Sequence, residues 1–131
     1  MFTGEDISEA NSRVKTGADF PKLARELAEV GVLFNDFYVA DGHAEYLGRD
    51  DHIVRTPAIR PVQTVAEKCD GDLFASRLKL HQSGETDFPA FLEDCAVTGV
   101  YKWRIDFSAM TCTYFDLEDN AVLIEDITQS G

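Results

Sequence analysis

The sequence predicts an α+β fold: an αα-βββ unit used twice, its strands sharing one antiparallel sheet with the helices on one face, about a pseudo-twofold axis. Three observations lead there. The tripeptide Asp-Phe-Pro occurs at 19–21 and again at 87–89. Each copy opens an apolar stripe at helical spacing that ends in a glycine, Gly31 or Gly99. Beyond each glycine the apolar period shortens to two, as in Tyr101-Lys102-Trp103-Arg104-Ile105-Asp106-Phe107.

The two copies align without gaps at an offset of 68 residues. There are nine identities in the 36 positions from Asp19 to Val54, where unrelated sequences give roughly two by typical residue frequencies. The identities include Ala28/Ala96, Gly31-Val32/Gly99-Val100, Tyr46/Tyr114, Asp51/Asp119 and Val54/Val122. Length fits one domain, 1–131, made of repeats at about 3–55 and 72–127 with a connector over 56–71.

In each repeat a short helix comes first, over 5–15 and 72–83, with Thr3 and Asp72 as N-caps. Ile7, Ala10 and Val14 share one helical face, as do Phe74, Leu78 and His81, and Gly17 and Gly84 punctuate. A second helix begins at Asp-Phe-Pro. The aspartate caps the orphan N–H groups and the proline fits the first turn. Its stripe is Phe20, Leu23, Ala24, Leu27 and Ala28, repeated as Phe88, Phe91, Leu92, Cys95 and Ala96. Gly31 and Gly99 follow as C′ residues. Strands then run from Val32 to Val39, turn at Asp41-Gly42 and return over His43–Leu47. In the second repeat 101–107 is a half-buried strand with Tyr101, Trp103, Ile105 and Phe107 facing in. Thr111–Asp116 is its partner, and Ala121–Ile127 follows a turn over Leu117–Asn120. The connector holds Pro57, Pro61 and Asp70-Gly71, with a further strand near Val62–Val65.

The formal net charge is −12, which disfavours nucleic acid and anionic membrane surfaces as partners. No apolar run approaches the ~20 residues needed to span a bilayer, and the first residues do not resemble a signal peptide. Three cysteines, Cys69, Cys95 and Cys112, show no CxxC or zinc-type spacing. The expected location is cytoplasmic.

Several segments together resemble a known family: VKTGADFP (14–21), DGHAEYLG (41–48), HQSGETDFPAF (81–91), Lys102-Trp103 and MTCTYFD (110–116). They are similar to the YbcV-like bacterial proteins of unknown function that are often labelled "phage envelope protein". The resemblance spans nearly the whole chain; Phe88 and Phe115 stand where tyrosine is common in that family. It implies an α+β fold and no established activity.

The common phosphate-loop, dinucleotide, zinc-protease and serine-hydrolase signatures are absent. In a duplicated scaffold, positions where the halves differ in polar chemistry are the ones to inspect: Val14/His81, Asn35/Trp103, Ala44/Cys112 and His43/Thr111. A ligand pocket is therefore expected from Trp103, Tyr114, Tyr46, His81 and His43. Cys112 with His81 or His43 as base is the catalytic alternative. His43, His52, His81 and Cys112 lack the short spacing of a metal site. The reading is a non-catalytic binding module for a small molecule or protein, without cofactor or metal. A phage-related homo-oligomeric structural or accessory protein, with a homodimer as its simplest form, is the alternative. An enzyme using Cys112 is the second.

Overall fold

The computed structural model describes residues 2–12, 20–59 and 61–126. Its elements are α1 (Gly4–Ser12), α2 (Phe20–Glu29), β1 (Phe34–Tyr38), β2 (Ala44–Leu47), β3 (Ile53–Thr56), α3 (Gly71–Gln82), α4 (Phe88–Thr98), β4 (Val100–Asp106), β5 (Thr111–Asp116) and β6 (Ala121–Asp126). The α+β class is the one that forms. The strands make one open sheet in the order β3-β2-β1-β4-β5-β6, antiparallel throughout. At the central β1–β4 pair, Asp36 stands opposite Arg104, a separation equal to the 68-residue offset of the sequence match. Left-handed backbone falls at the same offset: Gly31 and Gly99, Gly42 and Met110, Asp51 and Asp119.

Local chemistry explains the helix ends. Asp6 donates its N–H to Thr3 Oγ1 (3.2 Å), and Thr3 donates its N–H to the Asp6 carboxylate (2.9 Å). This reciprocal box starts α1. The cap of α3 is Asp70, two residues before the expected Asp72, and its carboxylate accepts the Leu73 N–H at 3.1 Å. The start moves because Asp70 is already held in place, donating its own N–H to Thr98 O (2.8 Å). Asp72 instead occupies the first turn, where its charge suits the helix dipole. Asp87 caps α4 as expected, accepting from Ala90 N–H at 2.9 Å. Gly99 ends α4 at φ +91°, and a Cβ there would lie 2.7 Å from both Cys69 Cα and Lys68 O. Only glycine meets both demands. The expected roles of Val14, Gly17, Asp19 and Ile127 lie outside the described residues.

All four helices cover one face of the sheet. Register puts Tyr46, Asn35, Ile105 and Cys112 side by side on that face, with Phe37, Trp103 and Tyr114 beside them. Asn11 of α1 donates to Tyr46 Oη (3.3 Å). Phe74 of α3 lies 4.9 Å from Tyr114, and Phe91 of α4 lies 5.8 Å from Trp103, ring centre to ring centre. Leu23, Ala24 and Leu27 of α2 are buried. Each large apolar side chain so removed from water contributes about 1.5–3 kcal/mol.

Three local expectations fail, in whole or in part, for identifiable reasons. Ala28 is exposed, whereas Ala96, its counterpart in α4, is buried. The connector runs along α4, where Ala66 donates its N–H to Ala96 O (2.8 Å). The strand expected near Val62–Val65 does not form. The connector's N–H groups go to loop and helix-end carbonyls instead, as with Gln63 to Ala40 O and Ile59 to Asp41 O, both 2.9 Å. Finally, Tyr101 packs against the core but is only partly buried. A β-bulge between Val100 and Lys102 accompanies a fully buried Val100 and leaves Tyr101 at the edge of the core, its hydroxyl reaching Asp119.

Candidate functional site

The residues expected to form a pocket divide between the two faces. Trp103 and Tyr114 are buried under the helices with ring centres 5.9 Å apart. His81 joins them at the rim, stacked on Phe91 at 4.4 Å, and its Nδ1–H donates to Thr86 O at 3.1 Å. Tyr46 is buried on β2, two strands from Trp103. His43 lies on the opposite face, stacked on Tyr38 at 4.4 Å and 5°. His52 is elsewhere again, donating through Nε2 to Phe2 O (2.8 Å). Among the described residues no group of three or more His, Cys, Asp or Glu could hold a metal ion.

Cys112 faces the helices and is 2% exposed. Burial pushes its thiol up to about 12; a hydrogen bond with Tyr114 opposes this in part, and nearby Glu125 adds a smaller upward push. A nucleophilic cysteine needs the reverse, a thiolate stabilised by positive charge. Cys95 is likewise raised by burial.

The other face of the sheet carries no helix among the described elements, and its chemistry is different. Along its middle row stand Arg55, Glu45, Asp36, Arg104 and Thr113, each opposite the next. Arg104 donates twice to Asp36, Nε to Oδ1 at 2.6 Å and an Nη to Oδ2 at 2.7 Å. Arg55 Nε donates to Glu45 at 2.7 Å. These are the planar, charge-assisted pairs that arginine makes well. Flanking rows carry rings: Arg104 lies 5.1 Å from the centre of Phe34. Lys102 Nζ lies 5.6 Å from Tyr38, 5.9 Å from Tyr101 and 5.4 Å from Phe115.

Hydrogen bonds hold the surrounding groups. Tyr38 donates its hydroxyl to Glu45 (3.3 Å), and Tyr101 donates to Asp119. Burial and then neighbouring carboxylates raise both phenols above their ordinary value. Asp41 accepts both the N–H (2.9 Å) and the Nδ1–H (2.5 Å) of His43. Those bonds, the backbone one first, hold its carboxyl below the usual range.

A separate apolar groove of about 280 Å³ lies at the start of α4, lined by Ile59, Pro61, Phe88, Pro89 and Leu92.

Sequence reading singled out His43 but grouped it with Trp103 on the other face, and it missed Tyr38, Tyr101, Lys102 and Phe115 as a group. The signal for two of them was the charged–apolar alternation of 101–107, which it used to place Tyr101 inside. No local pattern marks the bulge beside which Tyr101 is only partly buried.

Comparison with known proteins finds uncharacterised relatives. The uncharacterised protein Rv2012 of Mycobacterium tuberculosis (strain H37Rv) and the uncharacterised protein Mb2035 of Mycobacterium bovis are each 29% identical over 106 residues. The match covers 79% of this chain and 64% of each relative, so the chain spans less than two thirds of the curated relatives it matches. A family model described as "Protein of unknown function (DUF1398)" matches residues 8–126. The chain belongs to that DUF1398 family.

Proposed function

We propose that this protein is a non-catalytic binding module that engages its ligand through the open face of the sheet. One observation carries this reading: the helix-free face presents Phe34, Tyr38, Tyr101 and Phe115 against Lys102 and Arg104. A face that needs only solvation carries scattered charges. Aromatic rings and arginine are the groups enriched where proteins bind partners. The unactivated Cys112 favours binding over catalysis.

The same reading takes the two αα-βββ halves as an internal duplication, supported by the 68-residue spacing of Asp36 and Arg104 and of the left-handed positions. It does not draw on the YbcV-like envelope label, and a homo-oligomer through this face is its rival.

The test uses isotope-labelled full-length protein and small-molecule fractions of a bacterial extract. Amide shifts at Tyr38, Lys102, Arg104, Thr113 and Phe115 are the expected outcome. Shifts confined to Ile59, Phe88 and Leu92 would move the site to the groove. A concentration-dependent dimer with the open-face amides protected would favour the rival.

A further inference from the structure

We propose that Tyr38, Tyr101 and Phe115 form an aromatic cage for an alkylammonium ligand, whose place the Lys102 ammonium occupies in the free protein. The proposal rests on the open face being the binding surface. Lys102 Nζ lies 5.4–5.9 Å from all three ring centres, within the roughly 6 Å over which an aromatic face attracts a cation. The rings come from three adjacent strands, β1, β4 and β5.

The β-bulge gives independent support. Tyr101 and Lys102 are sequence neighbours, and strict alternation sends them to opposite faces. The bulge between Val100 and Lys102 instead brings the Tyr101 ring to the Lys102 ammonium. Bulges of this kind re-aim a side chain and are over-represented beside functional sites.

The hydroxyls provide a third argument. Tyr38 donates to Glu45 and Tyr101 donates to Asp119. Both bonds fix ring orientation and set a carboxylate at the edge of the cage, which favours a cationic guest. The net charge of −12 attracts cations at longer range. Lys102 itself has no ion pair with a described carboxylate, so its displacement breaks no salt bridge among the described residues.

The cage is not repeated at the 68-residue offset, where Tyr38 aligns with Asp106. At the 68-residue offset, Leu33, Phe34 and Leu47 stand where Tyr101, Lys102 and Phe115 stand. That set offers apolar surface without a ring cluster. Ligand choice follows from hydration. A primary ammonium is strongly hydrated, whereas a methylated one is held less by water and gains more from the rings. A methylated ammonium therefore displaces the lysine, whose flexible stem lets its head return to solvent.

The experiment titrates tetramethylammonium chloride into the full chain, against sodium chloride at equal ionic strength, while following the ring resonances of Tyr38, Tyr101 and Phe115. Wild type should show saturable shifts that sodium does not produce. Lys102→Ala removes the internal competitor and should bind about tenfold more tightly. Adding Phe115→Leu to that variant should cancel the gain. Lys102→Gln serves the same purpose if the alanine variant does not fold. In a parallel arm with N-acetyl-trimethyllysine amide, tighter binding than tetramethylammonium assigns the head group to a protein side chain; equal binding assigns it to a small free amine. A folded Lys102 variant that binds tetramethylammonium no better than wild type overturns the cage. If extract fractions still move the open-face amides, the ammonium class fails and the binding-module reading stands. If neither moves them, both fail.

Discussion

One sheet uses aromatic rings in opposite ways on its two faces. Under the helices, rings meet rings: Trp103 lies 5.9 Å from Tyr114, Tyr114 lies 4.9 Å from Phe74, and Phe74 lies 6.2 Å from Phe91. On the open face, rings meet cations, with Lys102 over Tyr38, Tyr101 and Phe115 and Arg104 over Phe34. The first arrangement maximises area removed from water. The second leaves ring faces partly wet and electrostatically active. Stability should therefore reside in the covered face, and recognition in the open one.

The largest expected effect tests that division directly. Phe74 is fully buried, and Phe74→Ala should cost about 3–5 kcal/mol through lost transfer energy and a residual cavity. Phe115→Ala, on the half-wet face, should cost about 1 kcal/mol. Urea unfolding of both variants supplies the numbers. Equal losses would break the contrast, because the open-face ring would then act as a core residue.

Thiol reactivity sharpens it next. Cys112 lies on the covered face with its thiol raised from 9.0 to about 12. That leaves roughly a thousandfold less thiolate at neutral pH than an ordinary cysteine has. Cys69 is only partly covered, and burial followed by Asp116 and Asp70 raises it more modestly. Iodoacetamide at neutral pH should thus label Cys69 well before Cys112 in the native protein. Fast labelling of Cys112 would return the nucleophile reading to the front.

The covered face was largely legible in the sequence, and the open face was not. Periods of 3.6 and 2, Asp87 before Phe88-Pro89, and Gly99 after the stripe are local signals, and each corresponds to an element or end that forms. Trp103, Ile105 and Phe107 are buried where alternation puts them. The Tyr38–Tyr101–Phe115 cluster depends instead on which strands become neighbours and on one extra residue in β4. Neither is written in a local period. Val62–Val65 fails for a related reason. Its composition suits a strand, but the connector crosses toward α4 and Gln63 Nε2 donates to Leu92 O (3.1 Å). His43 was singled out because it differs in polar chemistry from Thr111 at the 68-residue offset, yet its assignment beside Trp103 required knowing the face it occupies.

The smallest expected effect lies at the edge of the open face, at Asp41. Its carboxylate accepts two hydrogen bonds from His43, and these lower its folded-state value below the ordinary 3.8. A depressed carboxyl contributes stability that is fully present above its unfolded value. It is lost as pH falls below about 4 and through the folded value. The pair is solvent-accessible, so the contribution at neutral pH should be no more than about 0.5 kcal/mol, and salt should weaken it. Asp41→Asn keeps an acceptor for the His43 N–H and removes the charge. Wild type and variant should therefore differ slightly at pH 7 and converge near the acid limit, as read by urea unfolding at several pH values. A gap that persists at low pH would assign the effect to turn geometry rather than charge. A gap as large as that of Phe74→Ala would mean that charges on the open face hold the fold together, and the contrast between the two faces would be lost.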